Sequence, residues 1–447
     1  MTAAHQIPSA LVVDLYELTM MQAYHLHGVD GRATFDLFVR RLPPNRDFLL
    51  VAGLETVLER LEKIQFTASD LEYLNSLGHF RTAFLDLLGQ LRFSGEVAAM
   101  PEGTVAFAGE PILRVTAPII EAQLLETVIM NLMHLQTLIA SKAARVVLAA
   151  DGRDLVDFGL RRSHGTESGL FSARASWIAG FDATSNVEAG EHFGIPVTGT
   201  MAHSYVQALE DEEEAFRSFV KAYPETVLLV DTYDTMRGVE RVIALAEELG
   251  DDFRVRAIRL DSGDLVTLAA AARERLDAAG LRRLQIFASG NLDEYGVQKI
   301  VRSGAPINAF GIGTRLATSE DAPNLDIVYK LAQLENRPLL KLSTAKATLP
   351  GVKQVWRNKN KDGFWFRDTV GLADEDLPGR PLLVPVMEGG RRLPAGKENL
   401  DAARDRAVDE LLCLPPAMRR LETDIEPYPV SVSGKLQALR DQVSSKT

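Results

Sequence analysis

VLLVDTYD (227–234), VRAIRLDSGD (255–264), LQIFASGN (284–291) and INAFGIGT (307–314) are apolar runs that start 28, 29 and 23 residues apart and pass directly into polar or glycine residues. An apolar run of this length bounded by turn residues suits a buried parallel strand, here spanning 227–231, 255–261, 284–290 and 307–313. The amphipathic stretches between the runs suit crossover helices. A βα rhythm of this kind puts ligands at the carboxyl ends of the strands, where the Asp, Ser-Gly and Gly-Ile-Gly-Thr residues fall.

Working outward, 447 residues with 46% hydrophobic content are enough for a barrel of about 250 residues and a second lobe. The apolar stretch 124–150, interrupted by Asn131, His134, Lys142 and Arg145, reads as a buried helix of a soluble protein leading into LVDFGLRR (155–162), the first barrel strand. Upstream, 11–27 has helical spacing, 32–41 alternates as a half-buried strand, and 93–120 reads as short antiparallel pieces broken by Pro and Gly. Beyond 325 the strands IVYKLAQL and FWFRD return. The expected fold is α/β: an irregular (β/α) barrel over 121–324 and an α+β lobe built from 1–120 and 325–447.

With 61 acidic against 49 basic side chains, a formal charge of −12 argues against nucleic acid or anionic membrane as a partner. The single Cys413 excludes a disulfide framework within the chain and a multi-cysteine zinc site, and fits a reducing cytoplasm. The N-terminus lacks the pattern of a signal peptide.

Each strand end admits a chemical and a plainer reading. Gly311, Gly313 and Thr314 offer backbone N–H groups and a hydroxyl to an anion, or simply a tight βα turn; Ser289 and Gly290 in the neighbouring unit make a shared phosphate site a real alternative. Asp231, Asp261 and Asp264 can hold a Mg²⁺ shell or ribose hydroxyls, or cap helices, which suits Asp264 best. Arg259 shares a strand face with Asp261, as a ligand-binding pair or a structural ion pair. Arg161 and Arg162, taken as strand residues, point to opposite faces, so one can grip a carboxylate while the other is a surface charge. Phe158 offers an aromatic face or fills the core. His203, beside Thr200 and Ser204, is a nucleophile, an acid/base group or a structural imidazole. Lys341, Lys346, Lys353 and Arg357 can meet diphosphate or lie on solvated strand faces.

The elements DLYELTM (14–20), FGLRR (158–162), GTMAHS (199–204), VDTYDT (230–235), IRLDSGD (258–264), SGN (289–291), FGIGT (310–314), and KLS, Lys346 and PGVKQVWR (341–357) occur in this order. Over about residues 11–383 the chain resembles the nicotinate phosphoribosyltransferase family, with its type II phosphoribosyltransferase fold. The resemblance implies synthesis of nicotinate mononucleotide and diphosphate from nicotinate and 5-phosphoribosyl 1-diphosphate, coupled to ATP hydrolysis, in the salvage route to NAD. It implies that His203 takes a phosphoryl group from ATP and that Arg161 meets the nicotinate carboxylate. Phe158 would lie under the pyridine ring and Tyr16 of a neighbouring subunit over it, in a homodimer, with Thr200 and Ser204 flanking. Asp231, Arg259 and Asp261 would serve ribose, diphosphate and Mg²⁺; Ser289, Gly290, Gly311, Gly313 and Thr314 would hold the 5′-phosphate. Some relatives carry a cysteine-rich zinc element that one cysteine cannot supply.

Two rivals follow. Nicotinamide phosphoribosyltransferases share the barrel and are expected to set an acid where this chain offers Thr184 and Ser185, and hydroxyls beside Arg161 favour a carboxylate ligand. A phosphosugar aldolase or lyase needs a Schiff-base lysine or a metal cluster at a strand end, and the four runs contain neither.

Overall fold

The computed structural model describes residues 9–343, 347–421 and 425–446. The chain divides into two compact units, one of residues 1–141, 324–418 and 422–447, the other of 142–323 and 419–421.

The second unit is built on six parallel strands: β1 (Asp154–Asp157), β2 (Ala183–Thr184), β3 (Val227–Leu229), β4 (Ala257–Leu260), β5 (Gln285–Ala288) and β6 (Ala309–Ile312). Their order is β2-β1-β6-β5-β4-β3, so the last strand in sequence pairs with the first and the sheet is an open half-barrel whose edges are β2 and β3. An isolated parallel bridge from Thr184 to Val197 lies at the β2 edge. The result is the irregular barrel that the apolar runs imply. Each run is trimmed by a few residues, because its polar end leaves the ladder and becomes the loop. Val156, Ala183, Val227, Ala257, Phe287 and Ala309, one from each strand, pack together in one cluster, and alanine at three of these positions suits a narrow interior. Helices Thr235–Leu249, Leu265–Ala278 and Glu294–Arg302 return the chain between strands, with Asp234, Asp264 and Asp293 at their N-caps.

The first unit carries a seven-stranded sheet in which Arg32–Val39 pairs antiparallel with both Ile327–Leu334 and Pro111–Pro118. Residues from both ends of the sequence thus share one sheet. Phe35 and Tyr329 stack at 4.8 Å between ring centres on neighbouring strands, which locks the register. Among the described residues no helix is long and apolar enough to cross a membrane.

Candidate active site at the carboxyl ends of the barrel strands

β1 ends at Asp157, a fully buried carboxylate that accepts from Gly159 N at 2.8 Å and from the Thr184 hydroxyl at 2.7 Å. Burial raises its pKa, with those two hydrogen bonds offsetting part of the effect. One oxygen therefore shapes the turn after β1 and the other ties it to β2. Beyond the turn, Leu160–Arg162 forms a 3₁₀ helix rather than continuing the strand. Successive residues of such a helix are about 120° apart, not on opposite faces, and Arg161 and Arg162 both line one cavity. This corrects the expectation that only one of them can face a ligand.

The cavity measures about 380 Å³ and is lined by Phe158, Arg161, Arg162, Arg259 and Asp261 together with residues of the Ser289–Asn291 and Gly311–Thr314 segments. Glycine is required where its walls approach. Gly290 has φ +105°, and a Cβ there would lie 2.0 Å from the Asp261 carbonyl oxygen; at Gly311 it would lie 2.6 Å from the Phe158 ring. The Phe158 ring is half-buried, lies 5.7 Å from the Phe287 ring and has the Arg259 guanidinium 5.4 Å from its centre.

Arg259 is the hub. It donates from Nε to the Ser289 hydroxyl at 2.8 Å, from Nη1 to Thr200 Oγ1 at 2.8 Å, and from Nη2 to Asp261 Oδ1 at 2.8 Å. Its face pair with Asp261 is thus both an ion pair and part of the cavity wall. Burial by itself would raise the Asp261 carboxyl, but the hydrogen bond from Ser289 and the Arg259 charge outweigh it and hold the pKa below the usual value. Asp261 stays ionised. Its Oδ2 lies 3.8 Å from His203 Nε2, while His203 Nδ1 meets the Thr232 hydroxyl at 3.1 Å. His203 begins the short helix His203–Ala208, with Ser204 exposed next to it.

Asp231 accepts from Asp261 N at 2.9 Å and from the Ser262 hydroxyl at 2.8 Å, both on Oδ2. Its Oδ1 is buried with no hydrogen-bond partner. A carboxylate oxygen left in that condition suits a cation or a ligand hydroxyl. Among the described residues no group of three or more His, Cys, Asp or Glu could hold a metal alone. Asp264 occupies the N-cap position of its helix, exposed and without a side-chain capping bond, and accepts from the Thr267 hydroxyl.

Several other candidates stand elsewhere. Tyr16 belongs to the first unit, on helix Leu15–His27, and is 46% exposed. Lys353 and Arg357 are not on solvated faces. Lys353 is buried, pairs with Asp36 at 2.7 Å and donates to the Leu349 and Gly351 carbonyls. Arg357 is buried among Asp368, Glu410 and Glu110. Lys341 is exposed, and Lys346 lies outside the described residues. Asp157, Thr232 and Ser262 were missed from sequence; each acts through a partner on a separate segment, Thr184, His203 and Asp231 respectively.

Fold and site together define an irregular α/β barrel with a cavity at the carboxyl ends of its strands, lined by arginines, an Arg–Asp pair and glycine-rich turns. Residues 11–134 match the nicotinate phosphoribosyltransferase (NAPRTase) N-terminal domain and residues 154–355 the NAPRTase family proper. The chain is 50% identical over 434 residues to nicotinate phosphoribosyltransferase pncB2 of Mycobacterium tuberculosis, covering 97% of this chain and 94% of that protein. It is 42% identical over 377 residues to the Bacillus subtilis nicotinate phosphoribosyltransferase, covering 82% and 77%. The crystal structure of human nicotinic acid phosphoribosyltransferase superposes with a TM-score of 0.86 at 31% identity, covering 96% of this chain and 99% of that one. The chain belongs to the nicotinate phosphoribosyltransferase family.

Proposed function

We propose that the chain transfers the phosphoribosyl group of 5-phosphoribosyl 1-diphosphate to nicotinate, giving nicotinate mononucleotide and diphosphate for NAD synthesis by salvage in the cytoplasm. The observation that carries the reading is one cavity that combines an aromatic ring, two exposed arginines, an Arg–Asp pair and two glycine-rich turns. Nicotinate needs a flat apolar contact and a cation for its carboxylate; the sugar donor needs anion-binding turns and partners for its hydroxyls.

In this reading Phe158 supports the pyridine ring and Arg161, with Arg162 beside it, holds the carboxylate. Tyr16 of a partner subunit covers the other face of the ring, so the working form is a homodimer. Thr200 and Ser204 flank the base, and Thr200 is already tied to Arg259. The pyridine nitrogen attacks ribose C1 with its own lone pair as the C1–O bond to diphosphate breaks, so the ring nitrogen becomes positively charged and no proton moves. No general base is needed, and alignment and fixed charge supply the acceleration. Asp261, ionised, stabilises positive charge developing on the sugar, while Arg259 and the turns carrying Ser289, Gly290, Gly311, Gly313 and Thr314 hold anionic groups. Asp231, with its unpartnered oxygen, fits a Mg²⁺ ion held jointly with the substrate's own oxygens; that ion would offset charge on the diphosphate.

His203 is half-buried between Thr232 and Asp261, and one of its ring nitrogens would accept the γ-phosphoryl group of ATP with release of ADP. The added charge of roughly −1.5 to −2 would reorder the sugar-phosphate side of the site, and hydrolysis of the phosphohistidine would reset it. The test is mononucleotide formation by purified protein with Mg²⁺, the sugar donor and either nicotinate or nicotinamide, with and without ATP, in wild type and His203→Ala. The expected result is product from nicotinate, stimulated by ATP in the wild type and unstimulated in the variant. Product from nicotinamide alone would overturn the substrate, and undiminished ATP stimulation in His203→Ala would overturn the role of the histidine.

A further inference from the structure

The two turns read as the phosphate cradle follow neighbouring strands, yet the ladder between those strands is short. β5 and β6 pair only at Phe287↔Ala309 and Ala288↔Phe310, whereas β4 and β5 pair over four positions. β6 pairs with β1 over all four of its residues, so at Gly311 and Ile312 only the β1 side of the ladder continues. The ladder between β5 and β6 therefore ends before either turn begins.

Two ion-pair connections take over from it. Asp293 closes the first turn: its Oδ1 accepts from Gly296 N at 2.8 Å, capping helix Glu294–Arg302, and its Oδ2 accepts from Arg315 at 2.5 Å. Arg315 directly follows Thr314 of the second turn. The next residue, Glu294, is fully buried and pairs at 2.5 Å with Lys142, whose ammonium also meets Asp321 at 2.7 Å, a few residues beyond the second turn. Arg145 backs Glu294 from the same long helix at 3.1 Å. Asp293 and Glu294, the N-cap and first residue of the helix that follows the first turn, thus each bind a cation that leads to the segment after β6.

We propose that Asp293 and Arg315, backed by Glu294–Lys142–Asp321, are positioning residues that fix the spacing of the two turns and so tune the affinity for the 5-phosphoribosyl 1-diphosphate substrate. This rests on the reading of the turns as its phosphate cradle. The straps touch no reacting atom. They hold two sets of backbone N–H groups at a separation that one phosphate can bridge, which the ladder alone does not enforce.

Opposite charge changes separate this from a simple field effect. Asp293→Asn removes a negative charge while keeping a competent N-cap, and Arg315→Met removes a positive one. A field effect would make the first tighten and the second weaken binding of an anionic substrate. The strap predicts that both raise KM for 5-phosphoribosyl 1-diphosphate by about tenfold, that the double variant is no worse than the more severe single one, and that KM for nicotinate and the melting temperature hardly move. Shifts of opposite sign, no shift in either variant, additive shifts, or equal rises in both KM values would overturn the proposal. Gly290→Ala serves as the control for the cradle itself. If it raises KM for the sugar donor and the strap variants do not, the strap fails; if it too leaves that KM unchanged, the cradle reading fails.

Discussion

Two buried arginines, one in each unit, show what separates a structural cation from a functional one. Arg357 is closed off: it makes three hydrogen bonds to Asp368, with further bonds to Glu410 and the Val105 carbonyl, and nothing of its side chain reaches solvent. Asp368, Glu410 and Glu110 surround it. Burial pushes the Glu110 carboxyl well up, the negative charge of Asp368 adds to this, and the Arg357 charge offsets part of it. Arg259 is bonded on several sides too, to Ser289, Thr200, the Met201 carbonyl and Asp261, but the residue also lines a cavity. A buried arginine with every side covered can only hold the fold. One that leaves a side open on a cavity can hold a ligand as well.

The sharpest way to break this contrast is to neutralise each arginine and measure both stability and rate. Arg357→Met should destabilise the protein by about 3–5 kcal/mol, because it strands buried carboxylates, and chemical denaturation should read it directly. Arg259→Lys should lower kcat/KM by on the order of 10²–10³ while costing less than about 2 kcal/mol of stability, since lysine keeps the charge but not the fork. A reversal, with rate lost at 357 and stability at 259, would end the distinction.

Asp157 lies between these cases, fully buried yet shaping a functional turn. Asp157→Asn keeps the size but puts a donor where an acceptor serves Gly159 N or Thr184. The expected outcome is a rise of about tenfold in KM for nicotinate with KM for the sugar donor unchanged, read from initial rates. Equal changes in both would assign Asp157 to the whole barrel rather than to the Arg161 turn.

An effect on stability alone is expected at Glu17, a buried carboxyl that has hydrogen bonds from Thr127 but no cation. Burial raises its pKa from 4.5 to about 7, the Thr127 bonds offsetting part of the shift. A carboxyl raised in the folded state binds its proton more tightly there than in the unfolded chain. Its contribution to stability is therefore fully present below pH 4.5 and is lost as pH rises to about 7. Glu17→Gln does not titrate, so its stability relative to wild type should improve by roughly 1–3 kcal/mol between pH 5 and pH 8 in thermal melts. A pH-independent difference would show that Glu17 is ionised throughout.

The contrast also explains what could be read in the sequence. The four strand ends were legible because an apolar run that stops at Asp, Ser-Gly or Gly-Ile-Gly announces both the strand and its loop. Asp231, Arg259, Asp261, Ser289 and Gly290 were found in this way and do come together. Burial at Lys353 and Arg357 was not legible, since alternation marks a strand without saying whether its polar face meets water or acids from distant segments. Arg162 was misjudged because a strand and a 3₁₀ turn rotate adjacent side chains by different angles. Lys142, Asp293 and Arg315 were missed because their meaning lies in pairings between separate segments, Lys142 being 152 positions from Glu294 (294 − 142) and 179 from Asp321 (321 − 142).

The account stands most directly on where the product binds. A crystal structure with nicotinate mononucleotide should place the phosphate on the backbone N–H groups of the turns at Gly290 and Gly313, the pyridine ring against Phe158, and the carboxylate on Arg161. A mononucleotide bound in the opposite sense, with its phosphate on Arg161 and its ring at the glycine turns, would contradict it.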